Sequence, residues 1–218
     1  MEIILAGFNI DNETIQEIQS SPNGPDNLTP ETISAAYARI SRNPLPVNEL
    51  RKIARKEVEK SRKSNETIVF GMGHSSVAEH AVFNIDVLGV SRLIVEEIEK
   101  FRLSSFTEKS QRYIHLGNDF VVPGEIAGTD LETPFIETVG AQYRLYHDLY
   151  TVLKKYVFEK YSDMANDQAN LSTLEGWAKE DARYIISLAT EAQLGMTINA
   201  RNLELMLRRS AAHPLKEV

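Results

Sequence analysis

The sequence predicts a mixed α+β fold, with an antiparallel-leaning sheet flanked by helices. Two observations carry this: apolar periodicity switches between 2 and 3.6 along the chain, and no internal repeat or low-complexity tract interrupts it. A third sets the scale. A chain of 218 residues, 42% of them apolar, hides roughly 70–75% of its unfolded surface on folding, enough for a core that needs no staples.

From the N-terminus, Glu2 to Ala6 is a short isoleucine-containing run closed by Gly7 and reads as a strand. Ser20 to Asn27 is turn chemistry and reads as a loop. Thr29-Pro30-Glu31 is a helix start, with a capping hydroxyl, a proline at the first position and an early acid; the helix continues through Ser34 to Ser41, SAAYARIS. Asn48 to Ser64 is predicted as one charged surface helix. In Ala81 to Val90, Val82, Asn84 and Asp86 alternate against Phe83, Ile85 and Val87, which predicts a strand. Ser91 then caps a helix whose Ile94, Ile98 and Phe101 share a stripe, with Arg92, Glu96 and Lys100 as an exposed ladder. Asp130 to Tyr161 is one long helix or two, with a stripe of Phe135, Val139, Tyr143, Tyr146, Tyr150, Leu153 and Val157 suited to a core or a subunit contact. Asn166 to Glu175 reads as polar linker, Trp177 to Leu188 as helix and Glu191 to Ile198 as strand. A last helix begins near Asn199 and carries Leu203, Met206 and Leu207.

Composition excludes several functions. The chain has no cysteine, so disulfides, thiolate metal sites and a cysteine nucleophile are absent. Its 24 lysines and arginines against 31 carboxylates leave a formal charge of −7, the wrong field for coating a nucleic-acid polymer. No apolar run reaches the ~20 residues of a membrane span. Met1 is not followed by a basic segment and an apolar stretch, so the cytoplasm is the expected compartment.

Three stretches carry chemistry beyond packing. Gly71 to His80 holds two histidines and a glutamate, but His74, Glu79 and His80 match no HExxH spacing. Donors poised for an anionic ligand are the better reading, a metal hydrolase the weaker one, and no metal is expected. Phe101 to Tyr113 crowds hydroxyls with two arginines, read either as a polar loop or as a cradle for a phosphate or a pyrimidine edge. In the C-terminal quarter, between residues 183 and 213, Arg183, Arg201, Arg208 and Arg209 face only Glu191 and Glu204, a local guanidinium surplus suited to bidentate phosphate recognition.

Taken in order, Gly73-His74, Glu79-His80, Arg102 with seven residues to Ser110, and Ser110-Gln111-Arg112-Tyr113 resemble the flavin-dependent thymidylate synthases, whose signature is Arg-His-Arg, seven residues, then Ser. Ser34 to Ser41, Asp181-Ala182-Arg183 and Asn199-Ala200-Arg201 extend the likeness over almost the whole chain, residues 1–218. The resemblance implies that dUMP is methylated to dTMP with FAD, methylenetetrahydrofolate as carbon donor and NADPH as reductant, in a homotetramer with sites between subunits. It implies FAD contacts at Ser41, His74, Ser76, Glu79, Lys100, Phe101, Arg102, Leu103, Asn199 and His213. It implies dUMP contacts at Glu97, Ser110, Gln111, Arg112, Arg183 and Arg209, with Arg208 as the runner-up for the last, and catalytic roles for Arg102, Ser110 and Arg209. The flavin would carry the transfers, a guanidinium beside the uracil would stabilise charge on the activated ring, and no cysteine would be needed.

Several positions depart from the family. The signature is here Lys100-Phe101-Arg102, so one guanidinium has become an ammonium and one imidazole a ring without a hydrogen-bonding atom. Thr107 stands where Asn is usual, Glu97 where Gln is usual, and Pro214-Leu215 where Ala-Gln is usual. These changes motivate a second reading, a non-catalytic FAD- or nucleotide-binding paralogue. The end at Val218, short of the family's closing helix, suggests one module of a longer polypeptide or a truncated chain.

Overall fold

A computed structural model describes residues 1–21 and 28–218. Strand β1 (Glu2–Phe8) is followed by helices α1 (Asn12–Ser20), α2 (Glu31–Ile40), α3 (Val47–Lys56) and α4 (Val58–Glu66), a π turn over Thr67–Gly71 and a 3-10 turn over Ser75–His80. Then come β2 (Val82–Ser91), α5 (Arg92–Ile98), β3 (Ser105–Glu108), α6 (Glu132–Lys160), α7 (Ser162–Ala165), α8 (Leu171–Ala182), β4 (Glu191–Asn199) and α9 (Ala200–Ser210). The four strands form one antiparallel sheet in the order β1-β2-β4-β3, so the α+β expectation holds.

The register explains the core. Ile85 pairs with Met196 and Val87 with Leu194, which puts four apolar side chains on one face; Ile94 and Val95 of α5 and Met206 of α9 close over them. Gly89, at φ +64, sits where the register shifts between Leu88 and Val90, and this bulge turns Val90 into the same core. Ser91 caps α5 as its sequence predicts, accepting from the Ile94 N–H at 3.3 Å, and Thr29 accepts from the Glu31 N–H at 3.2 Å. The aromatic stripe of α6 forms a second core in which Tyr143 and Tyr146 are fully buried.

Several expectations are corrected. The single helix over Asn48 to Ser64 is two, broken at Glu57 (φ −120, ψ 51). The break lets buried Ser61 donate its hydroxyl to the freed Ala54 carbonyl at 3.1 Å. The polar linker over Asn166 to Glu175 is a 3-10 turn, Gln168–Asn170, running into α8 at Leu171, because Leu174 is needed in the core. The helix expected from Trp177 to Leu188 ends at Ala182 and becomes a 3-10 turn over Arg183–Ile185. The loop reading of Phe101 to Tyr113 misses β3, which pairs with β4 through non-local hydrogen bonds. α5 stops at Ile98, so Lys100 leaves the ladder and binds Glu97, while Arg92 keeps Glu96 at 2.6 Å. Most of the Ser20 to Asn27 loop lies outside the described residues.

Helix α1 is tied to α3 by a two-pronged ion pair, Arg51 Nε and Nη2 reaching Glu13 at 3.1 and 3.0 Å. The Arg51 hydrogen bond holds the Glu13 carboxyl at about 2 instead of 4.5. A carboxyl depressed in the folded state stabilises above its unfolded value and loses that contribution as pH falls toward the folded one. Glu13→Gln is therefore expected to cost about 1–2 kcal/mol at neutral pH, after allowance for partial exposure. The difference should shrink in urea unfolding repeated near about pH 3; an unchanged difference contradicts the assignment.

Candidate functional site

Residues 100–103 leave α5 in a turn that separates two cavities. On one side, Glu97, Lys100, Phe101, Arg209 and His213 line a cavity of about 250 Å³. Five residues assigned from widely separated sequence positions thus meet there, because α5 and α9 pack on the same face of the sheet. Lys100 Nζ lies 2.5 Å from Glu97 Oε1, and His213 Nε2 lies 3.9 Å from Glu97 Oε2. The Lys100 hydrogen bond, aided by the charges of Lys100 and His213, holds the Glu97 carboxyl below its usual range. His213 Nδ1 accepts from the Leu215 N–H at 3.2 Å, which leaves Nε2 to face the carboxylate. The Arg209 guanidinium carbon lies 5.6 Å from the centroid of the Phe101 ring.

On the other side, Glu79, Arg102, Leu103 and Asn199 line a shallower cavity of about 360 Å³ between the start of β2, the end of β4 and β3. Asn199 uses Oδ1 to cap α9, accepting from the Asn202 N–H at 2.9 Å, which leaves its amide nitrogen to donate. Glu79 is ion-paired to Arg201. Leu103 is 78% exposed, its carbonyl held by Asn202 Nδ2 at 3.4 Å. Ser104 also lines this cavity, and its buried hydroxyl has no partner. An orphaned hydroxyl, an exposed guanidinium with no ion pair among the described residues and a free amide N–H form a donor set that fits the phosphates and ring edge of a flavin nucleotide.

Ser110 lines a third cavity of about 430 Å³ beside β3, and its hydroxyl accepts from the Arg112 N–H at 3.2 Å. Arg112 Nη2 reaches Glu180 at 3.1 Å, and Arg183 Nη2 lies 3.8 Å from the same carboxylate oxygen. Gln111, between Ser110 and Arg112 in sequence, is half-buried. Ser41, at the end of α2, and His74 and Ser76, around the 3-10 turn, are exposed and line none of these cavities. The guanidinium surplus seen in sequence is mostly spent on carboxylates: Arg201 on Glu79, Arg208 on Glu204, Arg183 on Glu180. Sequence reading missed Glu180 and Ser104. The spacing of Glu180 to Arg183, i to i+3 on a helix, was a usable signal for the first; burial of Ser104 depends on tertiary packing and left none. Among the described residues no group of three or more histidines and carboxylates stands close enough to hold a metal ion; Glu79 faces Arg201, and His80 packs edge-on to Tyr37 at 4.7 Å. No described helix is long and apolar enough to cross a membrane.

Two solved structures share the fold: a UMP/dUMP methylase, PolB, from Streptomyces cacaoi, bound with 5-Br dUMP, and thymidylate synthase X from Helicobacter pylori with FAD and dUMP. The first is 19% identical, with a TM-score of 0.56 over 93% of this chain and 74% of that one; the second is 14% identical, with a TM-score of 0.54 over 97% and 91%. The flavin-dependent thymidylate synthase of Clostridium tetani is 31% identical over 179 residues, 80% of this chain and 67% of that protein. That of Geobacter sulfurreducens is 29% identical over 181 residues, 80% and 66%, and that of Pyrococcus furiosus 29% identical over 136 residues, 62% and 49%. The chain thus spans about two thirds of the first two relatives and about half of the third. The family model for thymidylate synthase complementing proteins matches residues 26–218, which covers the three cavities and the Arg112–Glu180–Arg183 cluster, and the chain belongs to that family.

Proposed function

We propose that this protein is a flavin-dependent thymidylate synthase that methylates dUMP to dTMP, with FAD as cofactor, methylenetetrahydrofolate as carbon donor and NADPH as reductant. The observation that carries the reading is the family match over residues 26–218. Convergence of Glu97, Lys100, Phe101, Arg209 and His213 on one cavity, next to that of Glu79, Arg102, Leu103 and Asn199, supports it.

In this reading Arg102, Leu103, Asn199 and Glu79 contact the flavin nucleotide, together with Ser41, His74, Ser76, Lys100, Phe101 and His213. Glu97, Ser110, Gln111, Arg112, Arg183 and Arg209 hold dUMP. FAD, when bound, supplies the hydride and methylene chemistry. The chain's own residues bind and orient. Arg112 and Arg183 offer paired guanidiniums to an anion, Ser110 orients the ring, and Arg209 stabilises negative charge that builds on the uracil.

The homotetramer with shared sites is part of the same proposal. Ile3 and Leu5 support it. They pair with Val87 and Ile85 on the core face of the sheet, yet remain 63% and 57% exposed, an apolar strip suited to another subunit. A stable monomer in light scattering at micromolar concentration contradicts the assembly. The compartment proposed is the cytoplasm.

One observation favours a second reading, a non-catalytic paralogue: Lys100 and Glu97, both altered from the family pattern, satisfy each other. Release of tritium from C5-tritiated dUMP separates the two. Turnover of about 1 s⁻¹ or faster supports the synthase; dUMP binding with no release supports the paralogue; a colourless protein that binds neither FAD nor dUMP contradicts both. Arg102→Ala is expected to weaken flavin or nucleotide binding by about 1.5–3 kcal/mol without loss of fold, since Arg102 is exposed and makes no ion pair among the described residues. Unchanged flavin retention and unchanged dUMP titration reduce it to a surface residue.

A further inference from the structure

We infer that Phe101 is a positioning residue for Arg209: its ring takes the place of a carboxylate partner and keeps that guanidinium available to a planar ligand edge with adjacent acceptor atoms. The identity of that ligand, the pyrimidine of dUMP, rests on the function proposed above; the positioning does not.

The ring is itself fixed. The Phe101 N–H donates to the Ile98 carbonyl at 3.2 Å, closing the end of α5, and the half-buried side chain packs with Ile98 against the core cluster that holds Met206. Met206 and Arg209 are i and i+3 on α9, so the burial that seats Met206 also brings Arg209 to the ring. The separation of 5.6 Å to the centroid lies within cation–π range.

Charge in the cavity points the same way. Lys100 and Glu97 neutralise each other at 2.5 Å, and His213 turns Nε2 toward the same carboxylate. Among the described residues Arg209 has no ion pair, although Glu97 lines the same cavity. Without the ring, a long arginine at an exposed helix end would exchange rotamers and be drawn to Glu97. With it, the planar fork stays open, and a flat edge bearing neighbouring carbonyl oxygens matches its paired N–H groups.

The test uses the full chain with Phe101→Leu, which keeps the apolar packing, and Phe101→Trp, which keeps a ring face. In wild type the Arg209 Nε–H proton resonance is expected to be displaced by the ring current, to return to the ordinary arginine position in Phe101→Leu and to remain displaced in Phe101→Trp. An undisplaced wild-type signal overturns the inference. Phe101→Leu should weaken dUMP about three- to tenfold, with Phe101→Trp restoring it to within about twofold. Binding of 2-deoxyribose 5-phosphate, which lacks the base, should be unchanged. An equal loss for both ligands, or no loss of dUMP, overturns the proposed role at the ligand. A displaced Arg209 signal in a wild-type protein that does not bind dUMP supports the positioning and overturns the nucleotide reading.

Discussion

Tyr143→Ala is expected to destabilise the protein by about 3–5 kcal/mol, the cost of truncating a fully buried aromatic side chain. Tyr143 is 1% exposed in the core of α6 and stacks near Phe120. Its hydroxyl donates to the Asp119 carbonyl at 2.8 Å and lies 3.1 Å from Thr190 Oγ1, on the segment that leads into β4. Burial raises the phenol above its usual range, so it is a neutral donor at all physiological pH values. Tyr143→Phe should lose only the hydroxyl contribution, about 1–2 kcal/mol. Urea unfolding of the three proteins checks both figures, and a loss in the alanine variant no larger than in the phenylalanine variant contradicts the packing account. Because β4 ends at Asn199 and continues into α9, a loosened start of β4 should also loosen flavin retention.

Arg112→Ala is expected to weaken dUMP binding by about 1.5–3 kcal/mol, the range for a charge-assisted hydrogen bond. Two terms act in the same direction. The variant removes a guanidinium proposed to meet the nucleotide, and it releases Glu180, whose carboxylate lies 3.1 Å from Arg112 and 3.8 Å from Arg183. A carboxylate left with only the more distant arginine would repel an incoming phosphate. Flavin retention should not change, since the cavity of Arg102 and Asn199 is built from other elements. Calorimetric titration with dUMP measures the effect; an unchanged dissociation constant with native folding removes Arg112 from the nucleotide site.

Most of what was legible in the sequence is local. Alternation along Val82 to Val90 makes β2, the Ser91 hydroxyl starts α5, and the aromatic stripe from Phe135 to Val157 makes α6, because each depends on neighbours within a few residues. The family likeness was legible for a related reason: its signature is a spacing, Arg102 to Ser110, readable without coordinates. Elements whose partners are distant were misread. The polar residues of β3 carry no strand pattern of their own, and β4 supplies the pairing. The break at Glu57 goes with a tertiary contact, the bond from buried Ser61 to the Ala54 carbonyl, that no local pattern announces.

The candidate site divides along the same line. The sequence by itself determined which side chains are present: a cysteine-free chain, an ammonium and a phenyl at positions 100 and 101, and an arginine-rich final helix. Only the tertiary structure decided which of them are free. It joined Arg201 to Glu79 and Arg112 to Glu180, and it brought Arg209 to the Phe101 ring. The reason is geometric: residues far apart in the chain meet only when antiparallel register and apolar burial seat α5 and α9 on one face of the sheet, and no local spacing encodes that meeting.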